Sequence, residues 1–227
     1  TYIMLCTTPV RTMEDLKGKK YRSGAANFGR WAEYFGGIKV SIPGNDVYEA
    51  MGQGVIDCAM LSATELTNLS LFDLVKFVTR RIPGGVFSGV ATNNVNIETW
   101  RGLTVEQRKV FLEAASRINA DLTWKYYSDA KKNLDASPAK GIEVIEPGPE
   151  IMAASDEFVK GDLKVIAEQF KTDYGLKNVD AKIEKIAALV EKWKTLTADI
   201  ADDPEALNKL YWDEIFSKLD PATYGVN

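Results

Sequence analysis

The sequence predicts an α/β fold with a mostly parallel sheet, on the basis of three observations. Between Asp15 and Leu61 a basic strand, two helices and an apolar strand follow in close order, an alternation typical of parallel sheets. The chain has 227 residues, 45% of them hydrophobic and 10% aromatic, which is sufficient for a core. A helical period runs from Val105 to Leu134 without proline or glycine, a span of roughly 45 Å. A helix longer than a small domain indicates one element that crosses two lobes.

The composition excludes several classes of function. A net charge of −4, with 26% charged residues, provides no basic surface for nucleic acid. The chain has no histidine and only two cysteines, which removes the commonest general base and excludes a Cys/His zinc cluster. No apolar run is long enough to predict a membrane span. Because neither a signal peptide nor an initiator methionine is present, we expect a processed or trimmed chain.

The first elements lead to an arginine at a strand end. YIMLC at residues 2–6 predicts a strand, and residues 12–18 predict a helical turn after Pro9. KKYR then predicts a second strand that ends at Arg22. Ligands of open α/β sheets bind outside the carboxyl ends of the strands, and a guanidinium there can bind a carboxylate with paired donors. A structural salt bridge would also account for this arginine.

Small residues and an amphipathic helix follow this strand. Residues 23–26 (SGAA) predict a compact strand-to-helix turn whose backbone N–H groups are free for an anion, such as a ligand carboxylate. The apolar residues of the next helix fall at helical spacing and predict a core stripe, formed by Phe28, Trp31, Ala32 and Phe35. We therefore expect Trp31 to pack in the core rather than to line a pocket.

The next predicted helix has signals at both ends. Asn45 or Asp46 is expected to cap its start, and Gly54 suits the position just after its end. Its inward-facing residues are Val47, Ala50 and Met51. GQG at residues 52–54 is thus a helix end and not a dinucleotide-binding loop, because no strand precedes it and no second helix begins at it.

The strand VIDCAML at residues 55–61 is followed by a predicted capping box. Ser62 and Glu65 have the S-x-x-E spacing that would start a helix above the strand end. VFSGVAT at residues 86–92 is a further strand candidate, because prolines and glycines break the chain before it. GVFSG is not a nucleophile elbow, since that site also needs a histidine.

The second half of the chain predicts mainly helices. Thr104 and Gln107 form a capping box at the start of the long helix. Residues 141–146 (GIEVIE) alternate as a strand. Pro149 suits a first helical position, and Asp203 begins a last helix.

The two cysteines leave two interpretations open. Cys6 and Cys58 both lie in apolar runs, and two small buried thiols are the simplest interpretation. Export of the protein would permit a disulfide between the two strands. The sequence does not give the Cα separation that a disulfide requires, so it does not decide between them.

Four segments together resemble the extracytoplasmic solute-binding proteins of tripartite ATP-independent periplasmic (TRAP) transporters, the DctP-like family. They are PVRTMEDLKGKKYRSG at residues 9–24, GNDVYEAMGQGVIDCAM at 44–60, FDLVKFVT at 72–79 and TWRGLTVEQRKVFLEAA at 99–115. The similarity covers nearly the whole chain, more weakly after Pro147. The family's mature chain normally has an N-terminal segment, with most of the first lobe's sheet, that this sequence is expected to lack.

This resemblance implies an α/β, two-lobe periplasmic-binding-protein-like fold with crossing strands and a long helix spanning both lobes. Residues 1–85 would form the main part of lobe II, the ligand-binding lobe. Residues 86–134 would form a crossing strand, the long spanning helix and part of lobe I. Residues 135–227 would form a return strand and C-terminal helices that pack on the lobes. Ligand capture would close the lobes by a hinge motion.

The resemblance also implies a periplasmic binding protein that performs no catalysis and needs no cofactor or metal. It would capture a small organic acid and deliver it to TRAP membrane permease subunits, which use an ion gradient instead of ATP. No nucleic acid is expected as a partner, and the protein would be a monomer or a homodimer paired through its C-terminal helices. In the family, the arginine that ends the strand after DLKG grips the ligand carboxylate, and that position here is Arg22.

Further candidate contacts follow from placement at strand ends and turns. The predicted ligand-binding residues are Arg22, Ala25, Asn27, Phe28, Asn45, Leu61, Ser62, Glu65, Phe87 and Tyr2. Phe87 and its neighbour Ser88 fit a sheet core equally well. Glu65 is either used in the capping box or accepts a ligand hydroxyl or ammonium. The family's sialic-acid branch has arginine at the position of Tyr2 and asparagine at that of Leu61, so we expect a smaller or more apolar acid.

Two other classes of function remain as alternatives. An α/β enzyme acting on a small carboxylate would use Asp57, Glu65, Tyr48 and Lys20 as acid and base groups, although nothing in their spacing brings them together. A helical interaction module built on the C-terminal helices is the other.

Overall fold

The computed structural model describes residues 2–80, 82 and 93–226. Its strands are β1 (Tyr2–Cys6), β2 (Lys20–Arg22), β3 (Ile38–Val40), β4 (Cys58–Ser62), β5 (Phe77–Thr79) and β6 (Glu143–Ile145). Its α-helices are α1 (Met13–Leu16), α2 (Ala26–Tyr34), α3 (Val47–Gly52), α4 (Glu65–Asn68), α5 (Ile97–Gly102), α6 (Val105–Ala136), α7 (Pro149–Thr172), α8 (Val179–Thr197) and α9 (Pro204–Glu214). The α/β class predicted from the sequence is confirmed.

The strands form one mixed sheet in the order β3-β2-β4-β1-β5-β6. β1 is antiparallel to both of its neighbours, whereas β2 pairs in parallel with β3 and β4, and β5 in parallel with β6. All described strands except β1 therefore run in the same direction. As a result, the carboxyl ends of β2, β3 and β4 lie at the same edge of the sheet as the first residue of β1.

The edge strand β3 was missed by the sequence analysis, which placed two helices here with no strand between them. Its three residues pair with β2 in parallel, Lys20 opposite Ile38 and Arg22 opposite Val40. Ile38 is 52% exposed, so the segment has neither the alternation nor the buried run that identifies a strand. Pairing with β2 determines this strand, and a single sequence does not show that pairing.

The core lies on both faces of the sheet because side chains alternate along each strand. On one face, Ile3, Leu5, Ala59, Leu61 and Val78 pack with Val47 and Met51 of α3. On the other face, Met4, Tyr21 and Met60 pack with the α2 stripe of Phe28, Trp31, Ala32 and Phe35. All four stripe residues are buried, as predicted, and Trp31 is completely so.

The two cysteines form a disulfide across the antiparallel pair of β1 and β4. Cys6 lies directly opposite Cys58 in the register, with a Cα–Cα distance of 4.1 Å, and both residues are fully buried. The question left open by the sequence is therefore resolved in favour of pairing. The disulfide lies at the opposite end of β1 from Tyr2, so it cross-links the two strands away from the carboxyl-end edge.

The long helix is continuous over 32 residues, from Val105 to Ala136. Its predicted capping box is present: Gln107 N–H donates to Thr104 Oγ1 at 3.2 Å, and Thr104 N–H donates to Gln107 Oε1 at 2.9 Å. The predicted starts of α7 at Pro149 and of α9 after Asp203 are also confirmed.

The chain divides into two compact units, residues 1–87 with 129–187, and residues 88–128 with 188–227. The first unit holds the sheet, and α7 is fixed to α2 by a hydrogen bond from Trp31 Nε1 to Ser155 Oγ at 3.1 Å. In the second unit, Trp100 Nε1 donates to Tyr224 O at 2.7 Å. α6 and α8 contribute residues to both units. The assignment of segments to lobes stays a prediction.

One predicted strand falls on residues that the structure does not describe. The candidate crossing strand at residues 86–92, and with it Phe87, falls outside the described residues.

Among the helices that are described, none combines the length and the apolar character needed to cross a lipid bilayer.

Candidate ligand-binding site

Three of the predicted site residues lie at the carboxyl-end edge of the sheet. Arg22 is the last residue of β2, and Ser62 is the last residue of β4. Tyr2 begins β1 and lies opposite Ser62, because β1 runs antiparallel to β4. In open α/β sheets this edge is where ligands bind.

The Arg22 side chain is buried at this edge, and no carboxylate of the described residues pairs with it. The residue is 7% exposed, and its Nε donates to the carbonyl oxygen of Ile42 at 3.2 Å. Burial lowers the pKa of the guanidinium, while Tyr2 and Glu65 act in the opposite direction. Among the described residues, no acidic group forms an ion pair with Arg22 and no acceptor receives a hydrogen bond from Nη1 or Nη2. The alternative of a structural salt bridge is therefore not what the structure shows.

The turn after β2 leaves space for this guanidinium. Ser23 N–H donates to the carbonyl oxygen of Val40 at 2.9 Å, and Ser23 Oγ donates to that of Ala25 at 2.6 Å, so the turn is anchored to β3 and to the start of α2. A Cβ atom at Gly24 would lie 2.7 Å from Arg22 Nη1, whereas one at Gly44 would lie 3.7 Å from Nη2. A side chain at Gly24 would thus displace the guanidinium from this position.

An aromatic pair lies at the same edge, on the face of the sheet that packs against α2. The rings of Tyr2 and Phe28 stack with centroids 5.4 Å apart and an interplanar angle of 19°. Phe28 is 1% exposed and belongs to the core, whereas Tyr2 is half-buried. Phe28 therefore packs against the Tyr2 ring from the core side, and Tyr2 is the ring of this pair that is accessible to solvent at the edge. Leu61 is also buried in a core cluster, on the face of the sheet opposite to Phe28.

The predicted capping box of Ser62 and Glu65 is wrong. Ser62 is still a strand residue, α4 begins only at Glu65, and Thr64 at its N-cap makes no capping bond. Ser62 Oγ instead accepts from Thr64 N–H at 3.3 Å, a local turn that competes with the helix cap. Glu65 Oε1 accepts from Thr64 Oγ1 at 3.3 Å. The Glu65 carboxylate is therefore not engaged in a capping-box hydrogen bond with the backbone N–H of Ser62.

The cap predicted at Asn45 or Asp46 is also not formed. Residues Gly44–Asp46 make a 3₁₀ turn that leads directly into α3, and neither side chain caps the helix. Asn45 is exposed, next to Gly44, whose position faces Arg22. Ala25 and Asn27 are half-buried at the start of α2. These placements leave ligand contact by each residue as a prediction.

The acid and base groups of the enzyme alternative are separated. Asp57 precedes β4 and accepts from Lys20 N–H at 2.8 Å, at the end of the strand that carries the disulfide. Glu65 follows β4 at the other end, and Tyr48 is exposed on α3. Groups at opposite ends of a five-residue strand do not converge on one reacting atom.

Asn133, a buried residue near the end of α6, is not among the residues predicted from the sequence. It is 7% exposed and contacts the turn between β4 and α4. Ala130 and Leu134, which share its helix face, pack against the apolar core. An amide on an otherwise apolar helix face was the available signal, because buried polar groups need partners.

Comparison with known proteins gives one family. The model of the bacterial extracellular solute-binding proteins, family 7 (DctP), matches residues 3–170. A solute-binding protein of Albidiferax ferrireducens is 26% identical over 170 residues, which are 75% of this chain and 48% of that protein. The chain thus spans about half the length of that relative.

Solved structures give the same fold at low identity. A TRAP periplasmic solute-binding protein from Bordetella bronchiseptica, with bound (R)- and (S)-mandelate, has a TM-score of 0.67 at 17% identity. The match covers 85% of this chain and 60% of that protein. One from Desulfovibrio desulfuricans, with bound sn-glycerol-3-phosphate, has a TM-score of 0.68 at 17% identity, covering 82% and 58%. One from Pseudomonas putida F1, with bound D-glucuronate, has a TM-score of 0.62 at 21% identity, covering 80% and 57%.

Proposed function

Because the chain belongs to the family-7 bacterial extracellular solute-binding proteins, which are receptors and not enzymes, we propose that its carboxyl-end edge binds a small organic acid through Arg22. The observation that carries this proposal is a buried guanidinium whose Nη1 and Nη2 donate to no described protein acceptor. A desolvated cation is costly unless an anion compensates it. A carboxylate offers two oxygens in the geometry of those two donors.

The ligands of similar structures support an acid as the cargo. Mandelate and D-glucuronate each carry one carboxylate, and the proteins that hold them share this fold. The third protein described above holds sn-glycerol-3-phosphate, whose acidic group is a phosphate, so the feature that the three ligands share is an anionic acid group. For this chain we infer recognition of the carboxylate by Arg22, with the remainder of the ligand facing Tyr2 and the turns that carry Ala25, Asn27, Asn45 and Glu65.

The proposed role is that of a periplasmic receptor. The protein would deliver its cargo to the TRAP permease subunits, in line with the family and with a chain that contains a disulfide. A homodimer through the C-terminal helices stays a prediction. Light scattering on the intact protein and on a chain that ends near residue 197 would distinguish it from a monomer.

Titration calorimetry on the intact protein with a panel of organic acids tests the proposal. The panel contains mandelate, orotate, D-glucuronate and pyroglutamate, and native mass spectrometry of the purified protein identifies any acid that is retained. We expect at least one carboxylate to bind with a 1:1 stoichiometry. Binding of uncharged solutes alone, or turnover of a bound acid, would contradict the proposal.

Substitution of Gly24 by alanine is expected to weaken acid binding by about tenfold, the equivalent of one hydrogen bond to a charged group. The new Cβ would lie 2.7 Å from Nη1, so the flexible guanidinium must move while the fold remains intact. Gly44→Ala is the matched control, since its Cβ would lie at an ordinary 3.7 Å from Nη2. Calorimetry should show near wild-type affinity for the control. Equal affinity in both variants would argue against a ligand at this guanidinium.

A further inference from the structure

The C-terminal part of α6 reaches the binding edge through Asn133. Its Nδ2 donates to the carbonyl oxygen of Ala63 at 2.9 Å and to that of Thr64 at 3.4 Å. Its Oδ1 accepts from Thr67 Oγ1 at 2.8 Å. The amide nitrogen and the amide oxygen of Asn133 therefore form all three of these hydrogen bonds with one segment, residues 63–67, which we call the β4–α4 turn.

These bonds join residues that are distant in the chain. Asn133 is separated from Ala63 by 70 positions and is buried, so its hydrogen bonds are shielded from water. A short amide side chain has few rotamers, and three bonds to one turn define the distance and orientation between that turn and the helix. The β4–α4 turn has no capping bond of its own at Thr64. The three bonds to Asn133 therefore join this turn to α6.

The β4–α4 turn carries a carboxylate close to the proposed site. Ser62, the residue before it, lies opposite Tyr2 at the strand edge. Glu65 is half-buried on the turn and oriented by the Thr64 hydroxyl at 3.3 Å. Arg22 lies opposite Ala59 in the strand register, and Ala59 packs in the same core cluster as Ala63 of the turn. Burial lowers the pKa of the Arg22 guanidinium, and the Glu65 carboxylate acts in the opposite direction. The two groups have separate partners, because Arg22 Nε donates to the carbonyl oxygen of Ile42 and Glu65 accepts from Thr64 Oγ1.

We propose that Asn133 is a positioning residue that places Glu65 beside the Arg22 subsite, and that the site therefore selects acids with a hydroxyl or ammonium donor next to the carboxylate. The inference rests on the proposed function. The ligand carboxylate would bind the guanidinium of Arg22, and the neighbouring donor would bind the carboxylate of Glu65. An acid that lacks the donor would leave Glu65 desolvated and without that hydrogen bond, which disfavours it.

Selectivity between mandelate and phenylacetate tests this proposal, because the two acids differ only in the 2-hydroxyl group. Calorimetry on the intact protein should give about tenfold tighter binding of mandelate, or of lactate relative to propionate if the site is too small for a phenyl ring. Asn133→Ala and Glu65→Ala should each reduce this ratio to near one. The double variant should lose no more selectivity than either single variant, because both act through the same contact.

Control variants separate positioning from a general loss of structure. Ser137→Ala removes a buried hydrogen bond to the Asn133 carbonyl oxygen at the same helix end, without touching the β4–α4 turn, and should keep the wild-type ratio. Thr67→Val removes only the bond to Oδ1 and serves if Asn133→Ala fails to fold; it should reduce the ratio partially. A lower melting temperature with an unchanged ratio in Asn133→Ala, or in Thr67→Val, would overturn the inference.

Arg22→Ala separates this inference from the proposed function. It should weaken mandelate and phenylacetate alike, because both carry the carboxylate. If wild type binds these acids, Arg22→Ala weakens them and Asn133→Ala leaves selectivity intact, only the positioning role fails. If no acid of either pair binds while another acid of the panel does, this inference fails and the proposed function stands. If no carboxylate binds at all, or if Arg22→Ala has no effect, both fail.

Discussion

Replacement of Arg22 by alanine is expected to weaken binding of the protein's organic acid by about 2 to 5 kcal/mol, roughly 30-fold to several thousandfold in Kd. The reason is that truncation removes two charge-assisted hydrogen bonds and leaves the ligand carboxylate buried without a partner. Titration calorimetry with the acid that co-purifies, or with the tightest member of the panel, measures the loss. Arg22→Lys should be intermediate, because lysine keeps the charge but not the paired donors.

The same change is expected to leave the ligand-free protein as stable as wild type. Arg22 is buried and has no acidic partner among the residues described, so its removal relieves desolvation rather than breaking an ion pair. Arg22→Met, which keeps the packing of the stem, makes this comparison cleaner. Arg11→Ala is a control, because it removes an exposed ion pair with Glu143 and should leave affinity within about twofold. Undiminished affinity in Arg22→Ala would exclude the site proposed here.

Reduction of the disulfide is expected to lower the free energy of unfolding by about 4 kcal/mol in the chain-entropy description, because it opens a loop with a sequence separation of 52. The bond between Cys6 and Cys58 restricts the unfolded chain, so its loss favours unfolding. Urea denaturation of the oxidised protein and of protein reduced in denaturant measures the difference. Both cysteines are fully buried, so reductant should react only as the protein opens.

Thiol counting supplies the control for that measurement. Native oxidised protein should show no free thiol among Cys6 and Cys58, even after denaturation, and both thiols after denaturation with reductant. Coincident urea transitions for the oxidised and reduced forms would contradict a stabilising role for the bond. A result of that kind would leave the sheet register unaffected, since the hydrogen bonds of β1 and β4 determine it.

Elements with a long or repeated local signal could be predicted from the sequence. The core stripe of α2, the uninterrupted α6 and its Thr104 capping box all depend on residues within a few positions of one another. The Ser62 capping box has the correct spacing and still fails, because strand pairing with Tyr2 holds Ser62 in the sheet. Local spacing predicts an element only where a competing long-range contact does not use the same residue.

Part of the candidate site could also be predicted, and part could not. Arg22 follows from its place at a strand end, but the lack of a described acidic partner is visible only in three dimensions. The bond between the cysteines depends on the register of two strands 52 positions apart. Asn133 depends on contacts 70 positions away, which no local pattern encodes. Phe28 and Leu61 were placed near the ligand by position alone, and the structure places their side chains in the core.

The most direct test of the central claim compares one acid with its primary carboxamide, which has nearly the same shape and no charge. Calorimetry on wild type and on Arg22→Met gives four dissociation constants with a single ligand scaffold. Wild type should bind the acid about a hundredfold more tightly than the amide, and this preference should fall to within about threefold in Arg22→Met. An acid preference of the same size in both proteins would show that the carboxylate is bound elsewhere.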